Sequence, residues 1–283
     1  MLTKKFRNFM QNNRWLKKVP TTLTICNSLC GFAAILYTLH VYSEECLDPE
    51  RVLEISAWII MGAMIFDALD GFCARLFNAA SMHGLQMDSL SDMVTFGVAP
   101  SVVVAVMAHK LRDLKSTDYY IVWCLCAFYL ACAASRLAKY NVHAMLEKKS
   151  SEKFSGLPTP GAAAGVCSLV IYYSAHELRQ IIYILPVYAA VLGLLMISNI
   201  RYMHIGKWIQ SARKDRRKLL VIVVLLAMLI KFPMTSVLVA INLYILSGPF
   251  TEFFLRKYSS SEKKSVLDHE SESETEIPTV KMQ

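Results

Sequence analysis

Four regularly spaced aspartates are the residues of this chain best suited to chemistry. They lie in the stretch DALDGFCARLFNAASMHGLQMDSLSD, residues 67–92. Asp67 and Asp70 are three residues apart, and Asp88 and Asp92 are four apart, so each pair shares one face of a helix. The connection between the pairs is short, which predicts two antiparallel neighbouring helices whose acidic faces point at each other.

The surroundings of these aspartates are apolar, and this restricts what they can do. Four carboxylates brought together in such a setting repel one another unless cations or protons neutralise them. Only Arg75 offers a basic partner nearby, which is too little for a purely structural cluster. Ligands that are all oxygen favour Mg²⁺, Mn²⁺ or Ca²⁺, and two such ions shared by four carboxylates are typical of phosphoryl transfer. A cation transporter is the alternative from a different class of protein.

Small residues accompany the first acidic pair. Gly71 and Ala74 follow Asp67 by four and seven residues, so the acidic face is also smooth enough for a bulky group to approach. Packing of two helices through small residues would explain the same pattern. Arg75 suits a phosphate or diphosphate, although an arginine at a helix end also extends towards the membrane surface. Gly84 is expected to end the turn before the next helix.

The composition predicts the elements that position these residues. Of the 283 residues, 55% are hydrophobic and 18% are charged, whereas soluble proteins carry about 25% charged residues. Long apolar runs alternate with short polar connections, so we predict an all-α polytopic membrane protein with about eight transmembrane helices. The count falls to seven if the last two form one kinked helix. The predicted spans are 22–42, 52–76, 88–108, 119–138, 160–176, 180–199, 218–232 and 234–249.

The distribution of basic residues predicts the orientation. With eight spans, 24 of the 30 lysines and arginines fall on the side that holds both termini, which makes that side cytoplasmic. We divide the chain into a basic amphipathic cytoplasmic segment (1–20), a transmembrane catalytic domain (21–250) and a largely disordered cytoplasmic tail (251–283). The basic run at 213–218 adjoins a span, so anionic lipid is its expected partner and no nucleic-acid partner is expected.

The spacing of the aspartates resembles a known signature. Asp67-x2-Asp70-Gly71-x2-Ala74-Arg75-x8-Gly84-x3-Asp88-x3-Asp92 matches the signature of the CDP-alcohol phosphatidyltransferase family at every fixed position. The resemblance implies a bundle with a six-helix core, displacement of CMP from a CDP-linked lipid or alcohol, and divalent metal ions, Mg²⁺ or Mn²⁺, two per active site. It also implies a homodimer in the cytoplasmic (inner) membrane of a prokaryote.

The same resemblance assigns roles to individual positions. It implies that Asp92 is the general base that takes the proton of the attacking hydroxyl and that it also touches metal. The implied metal ligands are Asp67, Asp70, Asp88 and Asp92. The residues implied to surround the CDP group are Asp70, Gly71, Ala74, Arg75 and Gly84.

Segments outside the signature bear on the acceptor alcohol. The stretches SLSDMVTFGVAPS, SRLAKYNV, FSGLPTPGAA and LMISNIRYMHIGK are similar to family members that act on L-serine. This similarity implies transfer of a phosphatidyl group from CDP-diacylglycerol to L-serine, with release of CMP and formation of phosphatidylserine. Choline, glycerol 3-phosphate and inositol or inositol phosphate are the alternative acceptors.

Polar residues at the ends of other spans are candidates for the acceptor pocket. Arg136 and Lys139 could pair with the carboxylate of serine, and Asn141 could bind its other polar groups; charge at a helix end explains Lys139 equally well. Arg201 is open to both interpretations. Asn27 is a polar residue within an apolar span, where hydrogen bonding is expected, and we predict that it contacts the nucleotide.

Overall fold

The computed structural model contains helices and turns, with no strand among the residues it describes. The described residues are 16–44, 46, 48–77, 81–111, 116–146, 156–176, 178–200, 202, 231 and 234–252. The predicted all-α polytopic membrane fold is confirmed. The predicted basic segment falls mostly in 1–15 and the predicted tail mostly in 253–283, and both stretches lie outside the described residues.

Seven helices make up the described bundle, and short 3₁₀ turns at Leu16–Lys18 and His40–Tyr42 flank the first of them. In chain order the helices are α1 (Val19–Leu39), α2 (Pro49–Leu76), α3 (Met82–Leu111), α4 (Ser116–Leu146), α5 (Thr159–His176), α6 (Gln180–Ile197) and α7 (Met234–Glu252).

Six of these helices are long and apolar enough to cross a membrane, and α5 is the exception. It has 18 residues, like the shortest candidate span, but begins Thr-Pro-Gly and carries serines and a histidine. Eleven of its residues are buried by neighbouring helices, so it needs less apolar surface towards lipid. The predicted span 218–232 lies outside the described residues except for Lys231, and the total of eight therefore stays a prediction.

Helices α2 and α3 begin before the apolar segments that predicted them, because polar side chains cap their first turns. Asp48 accepts a hydrogen bond from the backbone N–H of Arg51 at 3.0 Å, so α2 begins at Pro49. Ser81 accepts from the N–H of Gly84 at 3.0 Å, so α3 begins at Met82, six residues earlier than predicted. The prediction that Gly84 ends the preceding turn is therefore wrong. Side-chain oxygens of Asp and Ser are preferred at this capping position because they satisfy unpaired helix N–H groups.

Helix α3 changes geometry directly after the last signature aspartate. Residues Met93–Val98 form a π-helical turn between two α-helical segments. Buried hydroxyls satisfy carbonyls of this wider turn: Tyr129 of α4 donates to the carbonyl of Phe96 at 2.9 Å, and Ser101 donates to that of Gly97 at 2.8 Å. Such π turns often occur at functional sites, and this one follows Asp92 immediately.

The signature residues meet at one end of the bundle, which we call the signature end. It contains the start of α1, the end of α2 and the start of α3, which together line one pocket. The end of α4 and the start of α5 meet there as well, through a hydrogen bond between Arg136 and Thr159. Helix α7 approaches the same end through Tyr244, which packs beside Gly161. The described chain thus begins and ends at the signature end.

Candidate active site

Three of the four signature aspartates converge. Asp67 and Asp70 come from the last third of α2, and Asp88 comes from the second turn of α3. One carboxylate oxygen from each lies within 4.8 Å of the others. The antiparallel arrangement predicted from the short connection brings these carboxylates together.

Asp92 lies deeper, one turn further along α3, and is buried. Its carboxyl group is within hydrogen-bonding range of that of Asp67. The amide nitrogen of Asn27, a fully buried residue of α1, donates to Oδ1 of Asp92 over 3.4 Å. Asp92 therefore joins the cluster through Asp67 and stands apart from the three-carboxylate group.

Helix α1 supplies a second donor to the cluster. Thr24 is buried, and its hydroxyl donates to Oδ2 of Asp70 at 2.8 Å. In contrast, the buried Oδ1 of Asp88 receives no hydrogen bond from any residue that the structure describes. An anionic oxygen buried in this way is costly unless a cation is near it.

A buried carboxylate at the opposite end of the bundle gives a useful comparison. Glu54 of α2 is paired with Arg51 at 2.7 Å, and it also accepts from Trp58 at 3.3 Å and from Ser174 at 2.9 Å. This acid is neutralised and hydrogen-bonded by the protein itself. The signature aspartates have like charges close together and fewer donors. Their all-oxygen ligand set fits a hard divalent cation such as Mg²⁺ or Mn²⁺.

A pocket of about 170 Å³ opens beside the aspartates at the signature end. Most of the residues predicted to surround a CDP group line it, together with the start of α1, which sequence reasoning missed. A β-carbon added to Gly71 would meet no other atom within 4 Å, so this glycine faces open space. The lining residues are Pro20, Thr21, Thr24, Asp70, Gly71, Ala74, Ser81, Gly84, Leu85, Met87 and Asp88.

Two of the predicted CDP contacts lie outside this lining. Arg75 is exposed at the end of α2, where its Nε donates to the carbonyl of Gly71 at 3.0 Å. Asn27 does not line the pocket, and its amide nitrogen bonds Asp92. The polar residues Thr21, Thr24 and Asn27 recur every three residues in an apolar helix, and this periodicity is the sequence signal for a polar face on α1.

The predicted acceptor residues have different positions. Arg136 is partly buried and lies within electrostatic range of Asp92, and its Nη1 donates to the hydroxyl of Thr159 at 2.6 Å. Asn141 accepts from Ser89 at 2.8 Å, which links the end of α4 to the start of α3. Lys139 is exposed. Arg201 lies outside the described residues.

Helix α7 adds a tyrosine that sequence reasoning did not single out. Tyr244 interacts electrostatically with Arg136, and its ring lies 3.4 Å from the position of a β-carbon on Gly161. Tyr202 packs against Tyr244 with ring centroids 5.8 Å apart and donates to the carbonyl of Ile245 at 3.2 Å. Burial raises the pKa of Tyr202 to about 12, so its hydroxyl stays protonated as a donor at neutral pH. A single tyrosine among thirteen carried no signal of this role in the sequence.

The described geometry agrees with a comparison of the whole sequence. The family model for CDP-alcohol phosphatidyltransferase matches residues 17–197, the stretch that contains the aspartates, the pocket and Arg136. The chain belongs to the CDP-alcohol phosphatidyltransferase family. It is therefore an integral membrane enzyme, and the resemblance predicted from the signature is confirmed.

Individual relatives make the similarity more specific. The CDP-diacylglycerol–serine O-phosphatidyltransferase of Bacillus subtilis is 31% identical over 67% of this chain and 92% of its own length. The enzyme of the same name from Methanocaldococcus jannaschii is 36% identical over 64% of this chain and 71% of its own. An archaetidylserine synthase from Methanothermobacter thermautotrophicus is 30% identical over 65% of this chain and 69% of its own.

Proposed function

We propose that this enzyme transfers a phosphatidyl group from CDP-diacylglycerol to L-serine, releasing CMP and forming phosphatidylserine. The observation that carries the proposal is the set of relatives similar over about two thirds of the chain, two of which are named as serine O-phosphatidyltransferases and one as an archaetidylserine synthase. Family membership favours a transferase over the cation transporter that the aspartates alone allowed.

The aspartate cluster supports a dependence on divalent metal. Asp67, Asp70 and Asp88 would hold the ion or ions, since their carboxylate oxygens converge within 4.8 Å. Mg²⁺ and Mn²⁺ match this ligand set. Such an ion supplies charge that neutralises the diphosphate and the leaving CMP.

Asp92 is the proposed general base. The hydroxyl of the acceptor gives its proton to the Asp92 carboxylate while its oxygen forms a bond to the β-phosphorus, the one that carries the diacylglycerol. The bond from that phosphorus to the oxygen bridging it to CMP breaks, and its electron pair leaves with CMP. No covalent enzyme intermediate is needed. The position of Asp92 beside Asp67, yet outside the group of three, supports a role in proton transfer in addition to any contact with metal.

The pocket lining supports binding of the CDP group. The pocket beside Asp70 and Asp88 is lined by the small residues Gly71, Ala74 and Gly84, so a diphosphate can approach the carboxylates closely. Pro20 and Thr21 of α1 line the same pocket. Arg75 is near enough in sequence to reach a phosphate from the pocket rim, since it follows Ala74 on the same helix end.

Arg136 is the proposed partner of the serine carboxylate. Its guanidinium is oriented by Thr159 and lies on the Asp92 side of the cluster, so a carboxylate bound there would bring the serine hydroxyl towards the base. Arginine suits this role because its planar group can bind both carboxylate oxygens. Lys139, Asn141 and Arg201 are secondary candidates for the same pocket.

Membrane placement follows the charge distribution. We place the signature end on the cytoplasmic side of the inner membrane of a prokaryote, with both termini cytoplasmic, because 24 of the 30 basic residues lie on that side in the predicted topology. The described chain begins and ends at this one end, which supports the arrangement. A homodimer is expected from the family resemblance.

The proposal is tested by measuring CMP release from the purified protein in detergent with CDP-diacylglycerol and Mn²⁺ or Mg²⁺. The acceptors compared are serine, choline, glycerol 3-phosphate, inositol and inositol phosphate. We expect release stimulated by serine alone, lost with EDTA and restored by added metal. Release stimulated by another alcohol would keep the family reaction and reject serine. Full activity in EDTA would reject the metal.

A further inference from the structure

Two polar residues of α1 contact the signature aspartates in parallel ways. Thr24 donates its hydroxyl to Asp70 at 2.8 Å, and Asn27 donates its amide to Asp92 over 3.4 Å. Both residues are buried, and they lie three positions apart on one face of α1. Because an ionised carboxylate only accepts hydrogen bonds, the amide of Asn27 must turn its nitrogen towards Asp92.

Two hydroxyl groups of α3 bind the backbone carbonyls of the same two residues. Ser91 donates to the backbone carbonyl of Thr24 at 2.8 Å, and Thr95 donates to that of Asn27 at 2.9 Å. A carbonyl oxygen has two lone pairs, so it can accept this bond in addition to its helical one. We call the four residues Thr24, Asn27, Ser91 and Thr95 the α1–α3 clasp.

The clasp has little freedom to shift, because the two helices touch one turn further along. A β-carbon on Gly31 would lie 2.5 Å from the hydroxyl oxygen of Thr95 and 2.7 Å from its Cα. Carbon atoms in contact are normally about 3.5–4.0 Å apart, so only glycine allows this crossing. The distance between α1 and the segment that carries Asp92 is thereby fixed.

We infer that the α1–α3 clasp positions two signature aspartates for different tasks: Asn27 orients Asp92 as the base, and Thr24 orients Asp70 as a metal ligand. This inference rests on the proposed function and gives Asn27 a role other than the predicted nucleotide contact. A base must present a lone pair towards the incoming hydroxyl, and a hydrogen bond from one side fixes the plane of its carboxylate. Hydrogen-bond partners of metal ligands likewise orient those ligands and tune the affinity for the metal.

The two halves of the clasp therefore predict two different kinetic defects. Asn27→Leu removes the amide at similar volume, and we expect kcat to fall roughly 10- to 100-fold, the range for loss of one hydrogen bond to a charged group. KM for CDP-diacylglycerol should stay within about twofold of wild type, because Asn27 does not line the pocket. Thr95→Val, which removes only the support from behind, should lower kcat by about threefold to tenfold.

Thr24→Val is the isosteric test of the other half. We expect the Mn²⁺ concentration for half-maximal activity to rise roughly 10-fold or more, as for loss of a hydrogen-bond partner of a metal ligand. The Mn²⁺ concentration for half-maximal thermal stabilisation should rise in parallel, and this readout needs no turnover. Thr24→Ser, which keeps the hydroxyl, should restore both values.

A matched control comes from α1 itself. Thr38 of α1 is fully buried, but its hydroxyl donates only within α1, to the carbonyl of Ala34 at 2.7 Å. Thr38→Val should leave kcat, both KM values and the Mn²⁺ requirement at wild-type levels. Gel filtration and thermal unfolding in detergent check that each variant is folded.

The outcomes separate this inference from the proposed function. A rise in KM for CDP-diacylglycerol with unchanged kcat in Asn27→Leu would return Asn27 to nucleotide binding and overturn the inference. Equal losses of kcat in Asn27→Leu and Thr38→Val would mean that the clasp contributes only to the stability of the fold. If Asn27→Leu does not fold, an unchanged kcat in Thr95→Val overturns the Asp92 half. If wild type releases no CMP with serine, the proposed function fails, while Mn²⁺ stabilisation of Thr24→Val still decides the Asp70 half.

Discussion

The pocket beside the aspartates allows a sharp test with a pair of glycines on one helix. Gly71 and Gly62 both belong to α2, and an added β-carbon at either meets no other atom within 4 Å. Gly71 lines the pocket and Gly62 does not. Substitution by valine should therefore be tolerated by the fold at both positions and should block substrate at Gly71 alone.

The expected size of the effect follows from overpacking. The three side-chain carbons of valine at position 71 would project into the pocket that a CDP group would occupy. Valine is stiff in a helix and cannot rotate away freely. Overpacking typically costs about 1–3 kcal/mol, which corresponds to roughly 5- to 150-fold weaker binding. Gly71→Ala, which adds one carbon, should show a smaller effect.

The assay is CMP release as a function of CDP-diacylglycerol concentration, at saturating serine and Mn²⁺. We expect KM for CDP-diacylglycerol to rise by the stated factor in Gly71→Val and to stay at the wild-type value in Gly62→Val. Thermal unfolding should be unchanged or slightly improved in both, since valine favours a helix more than glycine does. Equal KM values in the two variants would refute the assignment of this pocket to the CDP group.

Three further substitutions test other parts of the site. Asp92→Asn should lower kcat by about 10²- to 10⁴-fold while stabilisation by CDP and Mn²⁺ persists; near-normal turnover would exclude Asp92 as the base. Arg136→Ala should raise KM for serine about 10-fold or more, and this rise should exceed any change in KM for CDP-diacylglycerol. An equal change in both KM values would remove Arg136 from the acceptor pocket. Gly31→Ala should lower the free energy of unfolding by about 1–3 kcal/mol, because its β-carbon overlaps the backbone of Thr95; an unchanged melting temperature in detergent would contradict so close a crossing.

The sequence predicted the features that depend on spacing along one chain segment. Apolar runs of sufficient length predicted the helices, and aspartate separations of three and four residues predicted two acidic faces. The short connection between α2 and α3 predicted that the two acidic faces would meet, and carboxylate oxygens of Asp67, Asp70 and Asp88 do lie within 4.8 Å of one another. Each of these inferences needs only helical geometry and the reach of a short loop.

Other features could not be read from spacing because they depend on contacts between helices. The π-helical turn Met93–Val98 requires Tyr129 of α4 to satisfy a carbonyl of α3. The apolar composition of α5 does not reveal how extensively neighbouring helices bury it. Helix starts were predicted late because Ser81 is an ordinary polar residue in sequence and becomes a cap only when its side chain meets the N–H of Gly84.

The difference between the two kinds of feature explains why the reaction was easier to predict than the acceptor. The aspartates that would handle the diphosphate lie within one stretch of 26 residues, so their arrangement is nearly local. The residues around Arg136 come singly from distant helices: Thr159 from α5 and Tyr244 from α7. Tyr244 also lies beyond residues 17–197, which match the family model. A substitution in α7 can therefore change the surroundings of Arg136, in the proposed acceptor pocket, without altering any residue of the signature, so the choice of alcohol depends on residues outside the signature.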